Sequence, residues 1–152
     1  MGKVYKVGII GCGGISHMHT NWYRAEPRTE VTSISDINAD LLQAYGEQYG
    51  IEKSYTDYIE MLETEDLDIV SVCTRPKFHA PLVIESAKRG VRGILSEKPM
   101  AENLGQAREM VDVSQEHNVK LAIDHQLRFN SPYVVAKELI ENGEIGEIFR
   151  VH

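Results

Sequence analysis

Short apolar runs alternate with amphipathic stretches along this chain. Val4 to Ile10 (VYKVGII) reads as a strand that stops at glycines, and Val31 to Ser35 (VTSIS) reads as a second. Lys53 to Tyr55 is a short third. Leu67 to Cys73, Val91 to Ser96 and Val119 to Ile123 supply the fourth, fifth and sixth. Their near-continuous apolar character predicts strands buried on both faces, as in a parallel sheet.

The stretches between them carry helix signals. Asn38 can cap a helix bearing Leu41, Tyr45 and Tyr49 at i, i+4 and i+8, closed by Gly50. Pro81 to Arg89 is apolar on one face and ends at Gly90. Asn103 with Gln106 is a capping-box variant, in which each side chain can bond the other's free backbone N–H. Ala107, Met110, Val111 and Ser114 then recur at i, i+3, i+4 and i+7, which predicts one buried face. Ser131-Pro132 reads as a cap with proline at the first helical position, and Gly143 ends that helix.

Strand–helix–strand alternation implies right-handed crossovers and a doubly wound parallel α/β sheet with helices on both faces. Six strands complete a Rossmann-type sheet at about Asp124, so residues 1–124 are expected to form one dinucleotide-binding domain. Residues 125–152 hold one helix and a strand-like end, Gly146 to His152. They read as the start of a second, incomplete α/β domain.

Composition narrows the function classes. The 152 residues are 42% apolar and 26% charged, which suits a folded domain rather than a disordered one. The net charge of −7 gives no bulk attraction to nucleic acid or to an anionic membrane surface. No apolar run approaches the roughly 18 residues of a membrane span. The N-terminus shows no signal-peptide core and no myristoylation pattern. Cys12 and Cys73 share no metal-ligand spacing, and reduced thiols in a cytoplasmic protein are the simplest reading.

The first strand runs into Gly11-Cys12-Gly13-Gly14-Ile15-Ser16, a G-x-G-x-x-G/A pattern with serine in the third place. Gly11 allows the tight turn, Gly13 admits a pyrophosphate close to the backbone, and position 16 must be small for the helix to pack on the strand. The following helix N-terminus offers free N–H groups and partial positive charge. Asp36 ends the second strand, 20 residues after Ser16. A carboxylate there can accept both ribose hydroxyls and repels a 2′-phosphate, and no arginine follows in Ile37-Asn38-Ala39. That favours NAD over NADP. Without a ligand, the same features would be a glycine-rich turn and a helix-capping aspartate.

Thr74, Glu97, Lys98, Asp124 and His125 each follow a predicted strand. In an open parallel sheet these ends share one edge, where ligands bind. Other candidates carry less. His17 and His19 are two apart on a helix, about 200° round, and cannot chelate a metal together; no metal site is expected from them. Trp22 and Tyr23 read as helix packing.

The glycine loop, Asp36, Thr74-Arg75-Pro76-Lys77-Phe78-His79, Glu97-Lys98-Pro99 and Gln126-Leu127-Arg128-Phe129 occur in this order along the chain. Together they resemble the Gfo/Idh/MocA oxidoreductases over essentially the whole sequence, with Glu97-Lys98-Pro99 the most specific element. The resemblance implies an N-terminal domain that binds NAD or NADP. It also implies hydride transfer to or from a secondary alcohol of a sugar, cyclitol or related compound, in an enzyme that commonly forms homo-oligomers. Lys98 is the expected catalytic residue. A lysine beside a cationic nicotinamide can have a lowered pKa and assist the substrate hydroxyl proton. The resemblance implies that Glu97 supports the strand end and that the Lys98–Pro99 bond is cis.

Thr74 keeps two readings, a contact with the nicotinamide ribose or pyrophosphate and a cap of the next helix. His79 is read as a structural or cofactor-proximal histidine, not an acid or base. Arg128 either pairs with acidic residues or reaches an anionic substrate group. The family often has Thr-Pro-Asn where this chain has Thr74-Arg75-Pro76, and its second domain carries an Asp and a His that usually complete the catalytic site and are not assigned on this chain. Two rival classes compete with the oxidoreductase. One is a nucleotide-binding module without turnover, acting as a redox sensor or assembly partner. The other is a Rossmann-type methyltransferase, which Glu97-Lys98-Pro99 disfavours.

Overall fold

The computed structural model describes residues 2–150. Among the described residues six strands and six α-helices follow one another; the strands and five of the helices fall where the sequence places them, and the short helix between the third and fourth strands is not named there. They are β1 (Tyr5–Ile10), α1 (Gly14–Ala25), β2 (Thr29–Ser35), α2 (Ala39–Tyr49), β3 (Lys53–Tyr55), α3 (Tyr58–Thr64) and β4 (Ile69–Val72). After a 3-10 turn at Pro76–Phe78 come α4 (His79–Lys88), β5 (Gly93–Ser96), α5 (Leu104–Glu116) and β6 (Lys120–Ile123). A second 3-10 turn, Gln126–Phe129, leads to α6 (Ser131–Glu141).

The strands form a single parallel sheet in the order β3-β2-β1-β4-β5-β6. This is the doubly wound arrangement, and the order reverses between β1 and β4. Side-chain alternation divides the core between the two faces. Val7 and Ile9 of β1 pack with Ile34, Leu42 and Tyr45 on one face. Ile10, Val70 and Val72 pack with Met61, Val83 and Met110 on the other. Gly8 faces this second layer too, and a β-carbon there would come within 2.6 Å of Leu67 Cδ1.

The burial pattern refines the expectation of strands covered on both faces. It holds for the central β1 and β4. It fails for the edge strand β6, where Lys120 and Ala122 are exposed while Leu121 and Ile123, on the opposite face, are half-buried; among the described residues one face of β6 is uncovered. The register between β1 and β2 shifts after Val7, where Thr32 is the extra residue of a β-bulge.

Asn38 caps α2 as expected, its side chain accepting from the Leu41 N–H, and Gly50 closes the helix with φ +63°. Asn103 likewise accepts from the Gln106 N–H. The return bond of the capping box moves by one residue, since Gln106 Oε1 accepts from the Glu102 N–H (3.2 Å). In α5, Met110 and Ser114 are buried but Val111 is exposed, because Val113 takes the place against the core. The cap of α6 is Asn130, so Ser131 is already the first helical residue. Gly146 through Arg150 form no strand, which corrects the strand expected there; Val151 and His152 lie outside the described residues. No helix among the described residues is long and apolar enough to cross a membrane.

Candidate active site

At the C-terminal edge of the sheet, β1 turns into α1 through the glycine loop. Gly11 has φ +94°, and a β-carbon there would stand 2.8 Å from the Cys73 carbonyl oxygen and 2.9 Å from Thr74 Cγ2. The Gly11 N–H donates to Ser35 O (2.7 Å). Gly13 is the N-cap of α1, with no side-chain cap and no acidic residue in the first turn. The helix therefore presents N–H groups that no side chain of the cap satisfies. Nothing lies within 4 Å of the β-carbon positions of Gly13 and Gly14, so the loop faces open space. Ser16 is fully buried and its hydroxyl donates to Gly13 O (2.5 Å), as the packing of α1 on the sheet requires of a small residue.

Asp36 stands beside this loop at the end of β2. Its Oδ2 accepts from the Cys12 N–H (2.8 Å) and its Oδ1 from the Asn38 N–H (2.9 Å). A carboxylate has about four acceptor sites, so two remain for ribose hydroxyls. The side chain of Ile37, the next residue, is 89% exposed. An open glycine cradle, an uncapped helix N-terminus and a carboxylate at the next strand end fit an adenine dinucleotide.

Burial is the main reason that the Cys12 and Cys73 thiols are pushed up to about 12; the Asp36 charge adds to it at Cys12. Both are free, buried and protonated, so neither acts as a nucleophile.

The ends of β4 and β5 are tied together by His79. Its ring is fully buried, with Nδ1 2.7 Å from Pro99 O and Nε2 3.0 Å from Thr74 O. Each ring nitrogen thus lies within hydrogen-bond distance of a carbonyl oxygen, and the ring N–H donates to one of them while the ring bridges the two loops. Thr74 is half-buried, and its hydroxyl contacts Arg75 O (3.5 Å) without capping a helix. The Lys98–Pro99 bond is cis. Glu97 is buried and accepts the Lys98 backbone N–H on Oε2 (3.0 Å). The Lys98 side chain is exposed at the strand end. Arg128 and His125 are exposed on the connection toward α6.

His17 and His19 diverge as their spacing requires. His17 meets Tyr49 Oη (2.9 Å), whereas His19 turns to the sheet. Sequence reading missed the role of His19. The signal was present: Ser16, His19 and Thr20 fall at i, i+3 and i+4 and are the buried face of α1. A histidine on such a face needs polar partners.

These features define a dinucleotide-binding Rossmann domain. The chain belongs to the Gfo/Idh/MocA oxidoreductase family, whose NAD-binding Rossmann-fold model matches residues 5–125. It is 32% identical over 142 residues to a myo-inositol 2-dehydrogenase of Thermotoga maritima, covering 93% of this chain and 42% of that protein. It is 33% identical to a D-apiose dehydrogenase of Paraburkholderia graminis, over 97% of this chain and 39% of that one. Its fold superposes with a TM-score of 0.90 on the WlbA dehydrogenase of Bordetella pertussis, solved with NADH and UDP-GlcNAcA. The identity there is 30%, over 97% of this chain and 45% of the other. The chain thus spans about two fifths of the length of these relatives.

Proposed function

We propose that this chain is the NAD-binding part of a dehydrogenase that oxidises a secondary alcohol of a sugar, cyclitol or related compound, or reduces the corresponding ketone. The observation that carries the reading is convergence. The glycine cradle, Asp36, Thr74 and Lys98 sit on loops at one edge of the sheet, around the point where strand order reverses. Gly11, Cys12, Gly13, Gly14, Ile15 and Ser16 form the pyrophosphate turn. Asp36 takes the ribose, and the exposed Ile37 offers an apolar surface to the adenine. Thr74 and Glu97 border the nicotinamide end, and His79 holds the two loops on which they stand.

The bound dinucleotide supplies the hydride chemistry. Lys98 orients the substrate hydroxyl and handles its proton. Relatives that dehydrogenate inositol and apiose support the substrate class. Residues 1–124 make the dinucleotide domain, and residues 125–152 begin a second one. The cytoplasm suits the two unpaired thiols.

The testing experiment is a calorimetric titration with NADH and NADPH. NADH is expected to bind more tightly, and Asp36→Ala is expected to narrow the gap. Equal or tighter NADPH binding by the unaltered chain would show that Asp36 does not read the ribose.

The reading extends to self-association. No residue of α6 is buried, and Tyr133, Val135, Leu139 and Ile140 are exposed on it, with Phe129 and Phe149 flanking. Apolar surface of this extent invites association. Sedimentation velocity is expected to show a dimer or higher homo-oligomer, and a monomer at all concentrations would overturn it.

A further inference from the structure

His19 lies beneath the ends of three strands. Its Nδ1 is 2.7 Å from Ser71 Oγ, and its Nε2 is 3.2 Å from Glu97 Oε1 and 3.3 Å from Asp124 Oδ2. His19 is fully buried, and Glu97 and Asp124 are only 4% and 8% exposed. One ring nitrogen therefore faces two carboxylates. It has a single N–H to give, and its hydrogen bond goes to Glu97. Asp124 Oδ2 is buried without a hydrogen-bond partner among the described residues. Two ionised carboxylates packed this way would leave charge uncompensated in a dry site.

One further proton closes the hydrogen-bond inventory. We propose that Asp124 is a positioning residue carried as the neutral acid, whose O–H donates to Glu97 and keeps Glu97 the single fixed anion at the root of Lys98. Glu97 then accepts from the His19 Nε2–H, from the Lys98 backbone N–H and from Asp124, within the capacity of one carboxylate. The Ser71 hydroxyl donates to His19 Nδ1. The Asp124 carboxyl then has a partner, and Glu97 is held from three sides.

The surroundings agree. Burial pushes the Asp124 carboxyl above the ordinary carboxylate range; His19 works against this, while the charge of Glu97 adds to it. The other titratable groups facing the cluster are Tyr23 of α1 and Cys73 at the end of β4. Both are pushed up to about 12, chiefly by burial, and stay neutral near pH 7. No counter-charge comes from them.

The inference rests on the proposed role of Lys98 for its significance, but its test does not. Infrared spectra of the unliganded chain in D2O near neutral pH are expected to show the C=O band of a protonated carboxylic acid. Carbon-13 labelling of aspartate side-chain carboxyls is expected to shift that band, which needs no variant. Asp124→Asn, isosteric with the acid and still a donor, is expected to remove it. Glu97→Gln removes the neighbouring charge and is expected to move the titration of the band to lower pH.

Stability gives an independent readout. The native state holds this proton more tightly than the unfolded chain does. Its contribution is therefore full below about 3.8, the ordinary aspartate value, and fades as pH rises through the native value. Asp124→Asn is expected to abolish that fading.

Three outcomes would overturn the proposal. They are no acid band at neutral pH, a band unmoved by aspartate labelling, and a stoichiometric divalent metal in the purified protein, since the same three side chains lie within 4.8 Å of one another. None of these readouts involves NADH or turnover, so the fate of this proposal and that of the Lys98 reading are separable.

Discussion

Lys98→Met is expected to lower turnover about 10²–10⁴-fold, the contribution typical of a positioned proton-transfer group, with little change in NADH affinity. Ser96 is the last residue of β5, and Glu97 is buried behind it. Glu97 spends Oε2 on the Lys98 backbone N–H and Oε1 on His19, not on the Lys98 ammonium. The lysine side chain is thus left exposed at the edge where the glycine cradle and Asp36 also lie. Methionine keeps most of the stem and removes the charge. The measurement is kcat and KM over a panel of polyols and sugars, in the full-length protein that carries this domain, after thermal unfolding confirms that the variant folds. Unchanged kcat would remove Lys98 from the chemistry. A loss confined to KM would make it a group that binds ground and transition states alike.

Much of this site was legible in the sequence because its parts are local. A glycine turn between a strand and a helix needs only neighbouring residues, and so does an acid at the next strand end. Glu97-Lys98-Pro99 is contiguous. The topology followed from alternation, since parallel strands joined by helices admit few arrangements. What escaped depends on strand order. His19, Ser71, Glu97 and Asp124 lie on four separate elements, and only the sequence β1-β4-β5-β6 sets them side by side. Edge effects escaped for a similar reason. The β6 residues resemble those of a central strand, but among the described residues nothing covers the face that carries Lys120 and Ala122.

Local competition explains the smaller differences. Asn130 precedes Ser131 and takes the cap of α6. Val113 rather than Val111 reaches the core, because the angle at which α5 crosses the sheet is not written in its spacing.

The glycine loop separates a folding role from a binding role within three residues. Gly11→Ala is expected to destabilise the domain by about 2–5 kcal/mol. Holding a non-glycine residue in the left-handed region costs roughly 1–2 kcal/mol, and forcing atoms into a packed site adds about 1–3 kcal/mol. Both apply here, with φ +94° and a new β-carbon 2.8 Å from a backbone carbonyl oxygen that cannot swing away. For a chain of this length the loss corresponds to a fall in Tm of about 4–20 °C, readable by calorimetry. Gly13→Val should behave oppositely. Its φ is −79°, which any residue adopts, and its β-carbon meets nothing within 4 Å. The variant should keep its Tm but lose NADH affinity, because the valine methyls stand where a pyrophosphate must approach the backbone. Equal thermal shifts in the two variants, or intact NADH binding by Gly13→Val, would show that the loop is a turn and not a cradle.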